Sequence, residues 1–267
     1  MTPDGPRGLA RGLTNYGDPD FALYLRRSFA TSMGYSKAML AFCQERRIPF
    51  IYASSASVYG MGPKFAEDVG AEKPINLYAY SKHLFDQYVK RVGKPTAQVA
   101  GLRYFNVYGP REQHKGGMAS TAFHFNNQVE ADGECRLFEG SDGYQDGEQR
   151  RDFVFVDDAA DAFLRAGASD VCNGEVFNVG GDEAISHRDL TALLVQVAGS
   201  GQVRYVDWPA DKKVIDIGSF YADSTKFKTT TGWAPAVPLA DGLRRTVAYY
   251  REHLDRYVGG EQEPSRT

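Results

Sequence analysis

Tyr78 and Lys82, with Ser55 upstream, are the residues of this chain whose types and spacing carry the clearest chemistry. A tyrosine four residues before a lysine, in a stretch that reads as helix over residues 76–85, puts both side chains on one helix face. A free phenol, with a pKa of about 10, is a poor base near neutrality. An adjacent ammonium stabilises the phenolate and brings that value down. A serine hydroxyl at the end of the preceding strand can hold the substrate oxygen. Together the three form an acid–base set for moving a hydride between an alcohol or sugar carbon and a nicotinamide ring. An isolated Tyr-x-x-x-Lys is more often a packed tyrosine beside a solvated lysine, so the elements around it decide the reading.

Those elements form a pattern. Residues 48–53 (Ile-Pro-Phe-Ile-Tyr-Ala) are a short apolar run of the kind found in buried parallel strands, and the serine-rich loop 54–60 follows at once. After the Tyr/Lys helix comes a second such run, 99–105, which leads into Asn106-Val107-Tyr108-Gly109-Pro110. Strand, serine loop, helix, strand and glycine–proline loop predict an α/β fold with a doubly wound parallel sheet and a ligand crevice at the carboxyl ends of its strands. Downstream, the patterning predicts a helix over 119–132, a strand and turn over 136–141, and a strand over 151–158 whose terminal acids cap a helix over 159–167. It also predicts a helix over 186–198 capped by Ser186, a strand over 203–206 and a terminal amphipathic helix over 241–257. Upstream, residues 24–47 carry apolar residues at helical spacing, most clearly from Ser36 onward.

With these residues in view, the sequence resembles the extended short-chain dehydrogenase/reductases that act on nucleotide sugars. The resemblance runs from about residue 35 to about residue 158 and rests on 48–60, 78–88 and 103–120. The last stretch, Arg-Tyr-Phe-Asn-Val-Tyr-Gly-Pro-Arg-Glu-Gln-His-Lys-Gly-Gly-Met-Ala-Ser, is the most specific. Its His-Lys-Gly-x-Met-Ala-Ser continuation is similar to the ADP-heptose 6-epimerase branch. From about Asn173 the chain looks more like nucleotide-sugar 4-epimerases, as in Gly174-Glu175-Val176-Phe177-Asn178-Val179-Gly180-Gly181.

The resemblance implies a truncated Rossmann-like sheet with a smaller C-terminal substrate lobe. Residues 1–34 are unassigned, 35–110 are a partial dinucleotide-binding domain, 111–258 are mainly the substrate lobe with segments returning to the first domain, and 259–267 are a disordered tail. It implies a catalytic set of Tyr78, Lys115 and Ser55, with Lys115 as a second acid–base group facing the tyrosine across the sugar. Inverting a carbon needs oxidation through one face and reduction through the other, so two proton-handling groups suit it. Lys82, Val107 and Ser54 would contact the cofactor, although Ser54 and Ser57 read more readily as loop hydrogen-bond donors. Asn106, His124, Phe138, Glu139, Gly140, Ser141, Arg151 and Lys213 would contact the nucleotide sugar, Arg151 being suited to a diphosphate. The implied function is inversion of C6 of an ADP-heptose by transient oxidation and re-reduction with NADP, or with NAD. The alternatives are a 4-epimerase on a UDP-hexose and a cofactor-deficient remnant. A homo-oligomer is implied as well. The family's strand, glycine-rich turn and helix, roughly its first 60–80 residues, have no counterpart before Ile48.

Composition sets the remaining bounds. The chain has 267 residues, 42% of them hydrophobic, enough for a substantial core. A net charge of −3 with no basic block argues against nucleic acid as partner. Cys43, Cys135 and Cys172 are scattered, which fits reduced thiols in a cytoplasmic protein. The five histidines form no zinc motif. No apolar run is long enough to span a membrane.

Overall fold

The structure is a computed structural model that describes residues 19–62, 64–93, 95–141, 143–209 and 217–253, the first fourteen of these by backbone alone. Helix α1 (Pro19–Arg46) leads to strand β1 (Phe50–Ser55). A 3-10 turn (Ala56–Tyr59) and helix α2 (Leu77–Val92) follow, then strand β2 (Val99–Tyr104). After β3 (Val107–Tyr108) come α3 (Thr121–Asp132), β4 (Glu134–Phe138), β5 (Arg150–Asp152), β6 (Val154–Phe155) and α4 (Val156–Ala168). The chain continues through β7 (Glu175–Val179), β8 (Ala184–Ser186), α5 (His187–Ala198), β9 (Gln202–Val206), α6 (Thr225–Thr231) and α7 (Leu239–Glu252).

The main sheet is parallel, in the order β1–β2–β7, with Ser55 opposite Tyr104 and Tyr104 opposite Val179. Alternation sorts its side chains. Tyr52, Val99 and Val176 pack with Leu40 of α1 and with Phe85 and Val89 of α2. Ala100, Leu102, Phe177 and Val179 pack on the opposite face with Ala162 and Ala166 of α4 and with Phe227 and Trp233. A separate core joins α3, β4, α5 and α7 through Phe125, Val129, Leu137, Leu190, Leu194 and Leu243. There β4 pairs with β9 in parallel, while β5 pairs with β8 antiparallel.

The elements follow from local chemistry. Asn76 caps α2 by accepting from Ala79 N at 2.8 Å, and Ser186 caps α5 by accepting from Asp189 N at 3.0 Å. Two expectations need correction. The single strand expected over 151–158 is broken at Phe153, because β5 and β6 join different partners and the Phe153 ring enters the α3–α7 core. The acids after it do not cap α4, whose cap residue is Phe155. Asp158 instead accepts from Ala236 N and Val237 N, both at 3.0 Å, and so ties the distant segment before α7 to α4. The tail and the end of the terminal helix fall outside the described residues. All three cysteines are buried thiols.

One buried charge sits between the sheet and the Tyr/Lys helix. Arg103 of β2 is wholly inaccessible. Its Nε and Nη2 donate to Asp86 Oδ2 of α2 at 2.9 and 2.8 Å, and Nη2 also donates to Glu72 Oε1 at 2.6 Å. Its Nη1 donates to the Tyr59 hydroxyl at 3.0 Å. Burial works against the charged form of Glu72, but Arg103 outweighs it and holds the carboxyl below its ordinary range. Arg103→Met leaves the buried Asp86 carboxylate without its cation and Glu72 with only Lys90 at 3.6 Å and His83 at 3.1 Å. We expect urea denaturation to show a loss of about 3–5 kcal/mol, and a loss below about 1 kcal/mol would mean that the network does not fasten α2.

Candidate active site and adjoining cavity

Ser55 ends β1 and caps the turn that follows, its Oγ accepting from Ser57 N at 3.2 Å and from Ser57 Oγ at 2.9 Å. Tyr78 stands in the first turn of α2 with half its surface (53%) open to solvent. Lys82 Nζ lies 5.8 Å from the centre of the Tyr78 ring and donates to the Ala53 carbonyl of β1 at 2.9 Å. The lysine therefore fastens α2 to the strand and sets an ammonium beside an exposed phenol. Ser54 is placed differently. Its side chain is buried and donates to Asp86 Oδ2 at 3.0 Å, so its hydroxyl belongs to the Arg103 framework and not to the opening.

Asn106 follows β2 and donates through Nδ2 to Asp152 Oδ1 at 3.3 Å. Asp152 Oδ2 accepts from Gly181 N at 2.7 Å, so this carboxyl joins the ends of β2, β5 and β7. Burial pushes the Asp152 carboxyl up to about 6, against the hydrogen bonds that stabilise its anion. Lys115 lies in the 3-10 segment Gln113–Met118, where Gly116 takes a φ of 52°. Its Nζ is 3.2 Å from Oε2 of the buried Glu112, which also accepts from Ser120 N and Oγ at 2.9 and 2.7 Å. The lysine is thus positioned by a carboxylate that also organises the start of α3.

A cavity of about 720 Å³, well within the range of small-ligand sites, lies between α3, β4 and β5. It brings together His124, Phe138 and Arg151 of the expected substrate residues, along with Gly117 beside Lys115. Arg151 Nη1 donates to the Arg150 carbonyl at 2.8 Å and to that of Gly218. Glu139, Gly140 and Ser141 are not on its wall but shape the turn beyond β4. Gly140 N donates to Asp146 Oδ1 at 2.7 Å, and a Cβ there would lie 2.3 Å from the Tyr144 carbonyl oxygen. Val107 lies apart from the cavity, beside Tyr104 and α4. Lys213 lies outside the described residues.

Trp208 was not expected. Its ring stacks on Phe138 at 4.4 Å and its Nε1 donates to the Glu139 carbonyl at 2.5 Å, completing one wall of the cavity. A tryptophan in a polar loop just after a short strand was the available signal. Only the β4–β9 pairing brings it to Phe138. Gln149, buried and on the cavity wall, was likewise missed. Among the described residues there is no cluster of His, Cys, Asp and Glu suited to a metal, and no helix is long and apolar enough to cross a membrane.

The profile of the NAD dependent epimerase/dehydratase family matches residues 21–180. The chain belongs to this family. Among its relatives is the ADP-L-glycero-D-manno-heptose-6-epimerase of Alkalilimnicola ehrlichii, 50% identical over 180 residues, which are 67% of this chain and 56% of that protein. The enzyme of the same name from Thiobacillus denitrificans is 53% identical over 171 residues, 63% of this chain and 51% of the relative. The chain therefore spans about half the length of these relatives. The crystal structure of the Helicobacter pylori ADP-L-glycero-D-manno-heptose-6-epimerase superposes with a TM-score of 0.68 at 30% identity, over 80% of this chain and 63% of that one. The UDP-glucose 4-epimerase of Thermotoga maritima, solved with UDP-glucose, superposes with a TM-score of 0.72 at 29% identity, over 86% and 72%. The Rossmann-like α/β fold read from the sequence is shared with these structures.

The Asp152 junction gives a pH test. Its carboxyl binds a proton more tightly in the folded chain than in the unfolded one, where its pKa is near 3.8. Between about pH 4 and 6 the native state therefore holds more protons, and this group's contribution to stability falls as pH rises. Relative to Asp152→Asn, the wild type should lose up to about 3 kcal/mol between pH 4 and pH 7 in urea denaturation. A pH-independent difference between the two would show that the carboxyl is hydrated.

Proposed function

We propose that this chain carries the acid–base residues and the nucleotide-sugar cavity of an epimerase that inverts C6 of an ADP-heptose. The observation that carries the reading is the exposed Tyr78 phenol beside the Lys82 ammonium, one strand end away from Ser55. Support for the heptose comes from the relatives' identity and from the Lys115 segment. The cofactor in this reading is NADP, with NAD as the alternative, and the protein is a cytoplasmic homo-oligomer.

The residues present fit the nicotinamide end of such a cofactor. Lys82 offers a cation and donor for its ribose at the end of β1, and Val107 offers an apolar contact from β3, the segment that follows β2. A bound nicotinamide would supply the site with a hydride acceptor that afterwards returns the hydride. The chain's own residues handle the proton and the sugar. Ser55 orients the C6 hydroxyl, and Tyr78 Oη takes its proton as the C6 hydrogen departs as hydride. The resulting ketone turns about its bond to the ring, with Asn106 and the Arg151-lined cavity keeping the nucleotide in place. Hydride returns to the other face, and Lys115 Nζ, held by Glu112, gives the oxygen its proton there. Tyr78 gains one proton and Lys115 loses one, and exchange with solvent returns both to their starting states, so the reaction is an isomerisation without net redox change.

Two measurements test this reading. Titration with ADP-heptose should quench Trp208 fluorescence saturably, and Arg151→Ala should weaken binding by about tenfold or more. Turnover of ADP-heptose with NADP should fall by about 10²–10⁴ in Tyr78→Phe and also fall in Lys115→Met. Full activity in Lys115→Met would contradict the two-group scheme. Tighter binding and faster turnover of UDP-galactose than of ADP-heptose would move the substrate to a hexose.

A further inference from the structure

Asp152 ends β5 and is 1% exposed, yet among the described residues no cation neutralises it. Its partners are N–H groups: Gly181 N on Oδ2 at 2.7 Å, Asn106 Nδ2 on Oδ1 at 3.3 Å, and the backbone N–H of Ala222. The chain leaves out a side chain to admit this carboxyl, since a Cβ on Gly180 would run into Oδ2. Burying a carboxylate without a cation costs stability. An amide side chain at 152 would fill the same space without the charge. What it would not do is hold Asn106 in the same way.

A carboxylate only accepts hydrogen bonds, so the Asn106 nitrogen must face it and the Asn106 oxygen must face away. The backbone of Asn106 is fixed too, its carbonyl accepting from Val154 N at 3.0 Å. Asn106 is half-buried and lies two residues beyond the end of β2, at the carboxyl ends of the strands where Ser55 closes β1. That is where a doubly wound sheet holds its ligand. Gly181 N belongs to the backbone and cannot turn, whereas the Asn106 amide can. With an amide at 152, the oxygen stays on Gly181 N and the nitrogen faces Asn106. The Asn106 amide then turns over to accept, and its own nitrogen faces the crevice.

We propose that Asp152 is a positioning residue that locks the Asn106 amide with its oxygen towards the substrate, so that Asn106 accepts from a sugar hydroxyl and disfavours a group that cannot donate. Asp152 touches no substrate atom and acts through Asn106 alone. The inference takes its ligand from the epimerase reading and so deepens it, while the orientation of the amide is a property of the free chain. It also accounts for the carboxyl itself. Stability would be served as well by an uncharged amide at this place, and only the acceptor-only group fixes which end of Asn106 is offered to the ligand.

Neutron diffraction from the perdeuterated full chain, without ligand, reads the lock directly. The Asn106 nitrogen should face Asp152, and the amide should be turned over in Asp152→Asn. Calorimetric binding of ADP-heptose and of its monodeoxyfluoro analogues reads the role, because fluorine at the replaced position cannot donate. At about pH 8, where the carboxyl is ionised, the wild type should bind ADP-heptose about tenfold or more tightly than one of these analogues. Asp152→Asn should lose that preference, and so should Asn106→Ala, which leaves Asp152 in place. The exchanged pair Asp152→Asn/Asn106→Asp should regain it, since the amide at 152 then donates to the carboxylate at 106 and an oxygen again faces the ligand. A carboxyl that only latched the strand ends would alter all these affinities alike and leave the preference intact. An Asn106 oxygen facing Asp152 in the wild type, a preference that survives Asp152→Asn, or equal binding of every analogue by the wild type would overturn the proposal. If the wild type binds neither ADP-heptose nor UDP-galactose while the amide stands as stated, the epimerase reading fails and the lock does not.

Discussion

Burying Arg103 is the constraint on which the arrangement of this protein depends. A guanidinium without water is tolerated only where its nitrogens find acceptors, and here each of the three does, from three separate segments: Asp86 on α2, Glu72 before it, and Tyr59 in the turn after β1. Two further hydroxyls, Tyr52 and Ser54 of β1, donate to the same Asp86 carboxylate. Any rotation of α2 on the sheet would strand a buried charge. The helix is thereby held in one register, and that register sets Tyr78 and Lys82 at the carboxyl end of β1.

Close packing serves the same network. Gly101 in β2 lies under the Tyr52 ring, where a Cβ would come within 2.5 Å of the phenol oxygen and 2.8 Å of Val176. The missing side chain lets Tyr52 reach across to Asp86. Tyr59 extends the network by donating to Asn178 at 2.6 Å, and Asn178 in turn donates to the carbonyls of Phe65 and Asp223. Burial pushes the Tyr59 phenol up to about 12 despite Arg103 beside it, so it stays a neutral donor. The chain thus separates its tyrosines by environment: those in the framework are buried and neutral, while Tyr78 is left at the surface beside an ammonium.

Much of this could be read directly from the sequence. Apolar runs at 48–53 and 99–105 have the composition of strands covered on both faces, and they became β1 and β2. Asn76 and Ser186 stand where helix caps belong, and both cap. The pairing of Tyr78 with Lys82 needed only the helical repeat. Other features were not legible because their causes are not local. Asp157 and Asp158 carry the pattern of a cap, yet Asp158 is taken by two backbone N–H groups more than seventy residues away. Ser54 and Ser55 are neighbours of one type, and strand alternation sends one hydroxyl to Asp86 and leaves the other at the strand end. Trp208 carries no motif, and it matters only because β9 runs beside β4.

The sequence by itself determined the chemistry on offer: a phenol, an ammonium and a hydroxyl at spacings that one helical turn and one strand end convert into proximity. Local repeat geometry is a property of the backbone, so these relations survive without knowledge of the rest of the chain. The tertiary structure decided which charges are buried and which are open, and what stands across the cavity from Arg151. Those outcomes depend on pairing between segments far apart in the chain, where competing burial and hydrogen bonding are settled only once all the elements have packed.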